Sequence, residues 1–199
     1  MSFHHHTLLI GAGLSALLIS ATAIAQDGPS FKCSDKMASS VEGLICKSPD
    51  LAKLDQTLAA AYSAAQKTAG NRANTLKAEQ RGWIKGRDEC WKSDDQQACI
   101  RDSYNQRIVE VQAGYGLVAA KGPFTFDCGS NGSISATFFQ TDPSSINATY
   151  KGQQAFMVAV QSGSGVNYKG QNESFWEHQG EALVTWGDGA KQMTCKKKT

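Results

Sequence analysis

Three of the four histidines in this 199-residue chain fall within the first six residues, which leaves one, His178, for all the rest. A metal site built from several histidines is therefore excluded beyond the leader. Any Ser-His-Asp or Cys-His catalyst would have to be assembled on that single imidazole. Net charge is only +2, so there is no broad positive field to attract nucleic acid. The serine between Gly163 and Gly165 lacks the Gly-x-Ser-x-Gly elbow, and no glycine-rich phosphate cradle occurs. Pairs of carboxylates keep glycosidase-like chemistry open, but an enzyme is the weaker class and no cofactor is expected. Proline is scarce, with four in the chain, and no apolar run is long enough for a comfortable membrane span.

The first 25 residues also lack lysine and arginine. Leu8-Leu9-Ile10, Leu14 and Ala16–Ile19 form a short apolar segment that ends at Ala23-Ile24-Ala25, a small-x-small cleavage signal. Residues 1–25 read as a signal peptide, and His4, His5 and His6 as a tag scar or misassigned start. The mature protein is expected in the periplasm or secreted. No cysteine stands directly after the cleavage signal, so no lipid anchor is expected. The six cysteines Cys33, Cys46, Cys90, Cys99, Cys128 and Cys195 all lie after it. An even count in an exported chain points to disulfides, whose pairing the sequence leaves open.

Composition changes once along the chain. Residues 26–121 read as a helical domain and residues 122–199 as a strand-rich one, with Gly114, Gly116 and Lys121-Gly122-Pro123 at the seam. The fold class is therefore α + β in two domains. A short segment Ser39–Cys46 comes first. Ser48-Pro49-Asp50 then starts a helix by cap, first-turn proline and dipole, and Leu51, Leu54, Leu58, Tyr62 and Ala65 form its apolar stripe. Leu76, Trp83, Ile84 and Trp91 belong to a second helix, with Trp83 read as core. A third begins near Asp94-Asp95 and carries Ile100, Tyr104, Ile108 and Val111. Packing these three helices together makes Cys90–Cys99 and Cys33–Cys46 the simplest pairs.

The second half alternates like a meander of seven or eight short strands, closed as an antiparallel β-barrel. Cys128 and Cys195 lie on its first and last strands, where a bridge would staple the closure. Lys196-Lys197-Lys198 reads as a solvated terminus.

The chain is organised around Ser162-Gly163-Ser164-Gly165-Val166-Asn167-Tyr168. Its glycines, expected at positive φ, hold Ser164 at a sharp tip. Ser164-Gly165-Val166-Asn167-Tyr168 followed by Phe175-Trp176 and Glu181-Ala182, between Cys128 and Cys195, resembles the MliC-type inhibitors of c-type lysozyme over about residues 124–198. That resemblance implies a barrel whose two loops plug the lysozyme cleft, with c-type lysozyme as the partner. Ser164 matches the family serine that touches the enzyme's catalytic carboxyls, with Ser162 as the competing choice, and Tyr168 matches the family tyrosine. The family's lysine position is His178 here. His178 can act as the cation when protonated, and Lys169 is the alternative. Tyr168 is expected exposed as an interface anchor, and Trp176 packed in the barrel.

The helical half carries Phe31-Lys32-Cys33, Glu42–Cys46, Leu54-Asp55, Gln80-x-x-Trp83, Arg87-Asp88-x-x-Cys90 and Cys99-Ile100-Arg101. These motifs resemble the N-terminal domain of LprI-type lysozyme inhibitors over most of residues 31–111.

Overall fold

The computed structural model describes residues 28–198 together with Met1. Apart from Met1, the expected signal peptide and its cleavage site lie outside the described residues.

Four helices form the first domain: α1 (Val41–Lys47), α2 (Pro49–Thr68), α3 (Ala73–Asp88) and α4 (Gln96–Gly114). Three of the four starts have a local cause. Ser40 caps α1 through Gly43 N–H, Ser48 caps α2 through Leu51 N–H ahead of Pro49, and Asp95 caps α4 through Ala98 N–H. The core is Ile45, Leu51, Leu58, Ala65, Leu76, Ile100, Tyr104, Ile108 and Val111, much as the helical stripes required. Trp83 packs edge-on to Tyr104, at 5.0 Å between ring centres, and its indole donates to Ser103 O. Trp91 departs from the reading. α3 stops at Asp88, so Trp91 falls in a 3-10 turn (Glu89–Lys92) and is 62 % exposed. Cys90–Cys99 and Cys33–Cys46 are both formed.

A polar chain runs through this core. Tyr104 donates its hydroxyl to Asp55 Oδ1 at 2.8 Å and accepts from Arg87 Nη1 at 3.0 Å, while Arg87 also meets Glu42 and Asp88. Ser30 satisfies the other oxygen of Asp55 through both N–H and Oγ. Asp55, Arg87 and Tyr104 are all buried, and their mutual pairing offsets the cost of desolvating them. Burial raises the Tyr104 phenol pKa far above its ordinary value; Arg87 opposes that shift and Asp55 adds to it.

Eight antiparallel strands follow: β1 (Ala120–Asp127), β2 (Ser133–Phe139), β3 (Ser145–Tyr150), β4 (Gln153–Val160), β5 (Val166–Lys169), β6 (Glu173–His178), β7 (Glu181–Trp186) and β8 (Met193–Lys197). Each pairs with its sequence neighbour, and β1 also pairs with β8 to close the barrel. β1 takes in residues 120–123, which the sequence reading left to the seam, and its register shifts between Lys121 and Phe124 around Gly122-Pro123. Period-two alternation sends Phe126, Ile134, Ala136, Ile146, Ala148, Met157, Tyr168, Phe175 and Val184 inward. Cys128–Cys195 bridges the two closing strands.

The Lys196–Lys198 stretch is no loose terminus. Lys197 N–H donates to Gly180 O and Lys198 N–H to Thr125 O, so the backbone is held in the sheet on both sides. Lys198 pairs with Asp127, Lys197 sits over the Phe124 ring, and all three lysines remain exposed. Hydrogen bonding from Gly129 N–H and from Lys198 holds the Asp127 carboxyl below its usual range.

α4 is buried on two sides. Tyr104 and Val111 lie in the core with α2 and α3, while Val109 and Ala113, half a turn away, are buried outside that core. Ala113 and Tyr115 share a cleft with Phe139 and Phe156 of the barrel.

Candidate functional site

One end of the barrel gathers three connections: residues 140–144, the loop Gln161–Gly165, and the turn Gln179-Gly180. Residues 140–144 are tied by Thr141, whose hydroxyl donates to Pro143 O and lies 2.8 Å from Ser145 Oγ. The turn has Gln179 at φ 51° and Gly180 at φ 81°, the left-handed pair that a two-residue hairpin needs. Gly180 N–H also donates to Glu177 Oε1.

The Gln161–Gly165 loop is fixed at Ser164 by its main-chain oxygen, which accepts from Trp176 Nε1 and from Ser162 Oγ, each at 2.8 Å. Gly165 sits at φ 63°, and a Cβ there would lie 2.4 Å from Glu177 O and 3.1 Å from His178 Cβ. Only glycine permits that approach, which presses the loop onto the end of β6. Gly163 is not at positive φ and has open space around it, so one of the two glycines is conformationally required and not both.

This geometry brings Ser164, Gly165, Ser162 and His178 together. His178 is half-buried and stacks on Trp176, with ring centres 5.7 Å apart at an interplanar angle of 20°. Ser164 Oγ is exposed and has no hydrogen-bond partner among the described residues. A rigid tip with a free hydroxyl and an adjacent imidazole can offer one neutral hydrogen-bonding group and one titratable cation.

Lys169 is not brought to the tip. It ends β5 opposite Val158 and Ser174 and lines a groove against α4.

Two aromatic expectations are reversed. Tyr168 is 5 % exposed, with its ring against Phe138 inside the barrel. It therefore supports the loop end from within. Burial raises its phenol pKa above the ordinary value, a Ser144 hydrogen bond works against this, and the Glu177 charge adds to it. Trp176 faces outward, because Phe175 beside it takes the inward place and adjacent strand residues face opposite sides. Its part as the clamp on Ser164 was missed, although the Phe175-Trp176 pair carried the signal: only one of two neighbours can enter a barrel. On β5, Asn167 Oδ1 is buried with no partner among the described residues.

Residues 33–115 match the family described as lysozyme inhibitor LprI, and residues 126–193 the membrane-bound lysozyme-inhibitor of c-type lysozyme family, MliC. Proteins named lipoprotein LprI from Mycobacterium bovis and Mycobacterium tuberculosis are 33 % identical over 185 residues, which covers 88 % of this chain and 92 % of theirs. The chain belongs to the LprI family. Its two regions stand in the order that the motifs implied, helical LprI first and MliC barrel second. The buried Asp55–Tyr104–Arg87–Glu42 chain is thus the interior of the LprI region, and the Ser164 tip belongs to the MliC region. The Mycobacterium relatives are named lipoproteins, a name that lends no support to the expectation of an unanchored chain. Among the described residues, no helix is long and apolar enough to cross a membrane.

Proposed function

We propose that this protein inhibits c-type lysozyme by inserting the Gln161–Gly165 tip into the enzyme's substrate cleft, as a non-covalent, competitive plug. Membership of two lysozyme-inhibitor families supports the target. One observation carries the mode of action: the Ser164 carbonyl is clamped by two donors while its own hydroxyl is left exposed.

A c-type lysozyme holds one protonated glutamic acid and one ionised aspartate across its cleft. Ser164 Oγ can accept from the acid or donate to a carboxylate. Ser162 has its hydroxyl engaged on the Ser164 carbonyl, so Ser164 is the better candidate of the two. His178, held against the tip by Trp176, supplies the cation for the aspartate when protonated. Because the loop is already ordered, little conformational entropy is lost on docking. Tyr168 contributes from beneath, and no catalytic role is assigned to any residue. The protein acts in the cell envelope, periplasmic or secreted, and protects the wall from muramidase.

The test is inhibition of a chicken-type lysozyme by the purified, disulfide-intact chain. Competitive inhibition that collapses in a folded Ser164→Trp variant supports the proposal. Full lysozyme activity in the presence of excess parent protein overturns it.

His178 at the family's lysine position favours a second reading, in which the barrel has lost lysozyme affinity and the helical domain carries the main interaction. In that domain a cleft lined by Phe31, Tyr62, Trp83 and Glu42 is open to solvent.

A further inference from the structure

The Ser164 tip is too small to make an interface by itself. The loop 161–165 and residues 178–180 amount to eight residues, whereas a specific interface takes roughly 20–30 residues a side and about 800 Å² per partner. The surfaces that border the tip must supply the remainder. Val160 and Val166 stand at the two feet of the loop and are 44 % and 37 % exposed, an apolar shoulder of the kind that marks contact surface.

From Val160 a groove of about 660 Å³ runs between the barrel and α4. Val158, Val160 and Lys169 form its barrel wall, and Asp102, Asn105 and Gln106 its helical wall. Both walls are firm. Asp102 and Gln106 are on the side of α4 opposite Tyr104 and Val111, which are locked in the domain core. On the barrel wall, Val158 and Lys169 are register partners in neighbouring strands. Asp102 and Lys169 lie on opposite walls, and neither has an ion-pair partner among the described residues. The groove thus presents a free anion, a free cation, three amides (Asn105, Gln106 and Gln171) and an apolar lining that includes Phe156.

We infer that this groove is the second half of the inhibitory interface, taking a lip of the lysozyme that borders its cleft while Ser164 occupies the cleft itself. The inference rests on the lysozyme reading above and adds the helical domain to it: α4 makes direct contact with the enzyme. It gives Lys169 a place in the interface away from the catalytic carboxyls. Continuity decides the occupant, because a globular partner seated on the tip meets Val160 next.

The experiment measures lysozyme binding and inhibition by the full chain and by Asp102→Trp and Gln106→Trp, alone and together. These bulky replacements are at exposed helical positions. Lys77→Trp, on an exposed site of α3, and Ser164→Trp serve as references. The double groove variant should bind at least ten-fold more weakly with unchanged melting temperature and still competitive kinetics, while Lys77→Trp stays within two-fold. Amide hydrogen exchange in α4 of the parent protein should slow on adding lysozyme. Groove variants within two-fold of the parent, or unchanged α4 exchange, overturn the inference; loss of binding in Ser164→Trp would then leave the cleft-plug reading standing. If the parent does not bind lysozyme, both fall. Should the groove variants unfold, the exchange measurement on the parent decides.

Discussion

Trp176 donates its indole N–H to the main-chain oxygen of Ser164, 2.8 Å away and twelve residues earlier in the chain. Through this bond the outward face of β6 holds the loop. It also places the His178 ring, stacked on the same indole, beside the tip. Trp176→Phe keeps an aromatic ring there and removes the donor. Inhibition of lysozyme should weaken roughly three- to ten-fold, the cost of ordering a released loop on binding, while the melting temperature stays nearly constant. Paired inhibition and thermal-melt measurements check this.

Gly165 tests the close approach. Gly165→Ala forces a side chain into the left-handed region and against Glu177 O. The expected loss of stability is about 1–3 kcal/mol, with a larger fall in inhibition because the tip must shift. Gly163→Ala, in open space away from positive φ, should leave the melting temperature unchanged. Equal effects of the two replacements on urea unfolding would contradict the assignment of Gly165 as the required glycine.

In the helical domain, Tyr104→Phe removes a hydroxyl that is bonded to both Asp55 and Arg87. Leaving those buried groups short of a partner should cost about 1–3 kcal/mol. The pH dependence has a defined sign. The folded Tyr104 phenol has a raised pKa, so its contribution is intact below about pH 10, where the unfolded tyrosine titrates, and is lost as pH rises further. Unfolding free energies measured at pH 8 to 11 should fall at the alkaline end. That fall should be shallower in Tyr104→Phe, with the remainder carried by Tyr115 and Tyr168, whose pKa values are also raised.

The barrel staple can be removed as a pair. Cys128 and Cys195 are 67 residues apart, so the bridge restricts a long loop in the unfolded chain and its loss should destabilise by about 2–5 kcal/mol. The Cys128→Ala, Cys195→Ala double variant should show a lower urea midpoint with lysozyme inhibition retained below that midpoint.

Much of the architecture was legible because it rests on local rules. Ser48-Pro49-Asp50 starts α2 wherever that segment sits, alternation around Ile134 and Ala136 marks a barrel wall, and the turn at Gln179-Gly180 sets its own hairpin. The family motifs singled out Ser164 and His178, and the fold sets Gly165, the neighbour of Ser164, against His178. The aromatic assignments failed for one reason. Tyr168 and Trp176 were assigned by proximity to the loop and by residence in a strand, whereas strand parity sends Tyr168 in and Trp176 out. Lys169 failed similarly: it is one residue from Tyr168 in sequence but at the far end of β5 from the tip.

By itself, then, the sequence determined which stretches are helical and which extended, where α2 starts, that the cysteines suit an oxidised exported chain, and which families the two regions belong to. Those properties depend on neighbours a few residues apart. Only the tertiary structure decided that Asp55, Tyr104 and Arg87 form one buried chain, that the lysine tail is held between β1 and β7, and that the Ser164 carbonyl rather than its hydroxyl is clamped. Each of these joins groups from separate elements, and burial removes the water that would otherwise satisfy them, so a partner must be found wherever packing brings one.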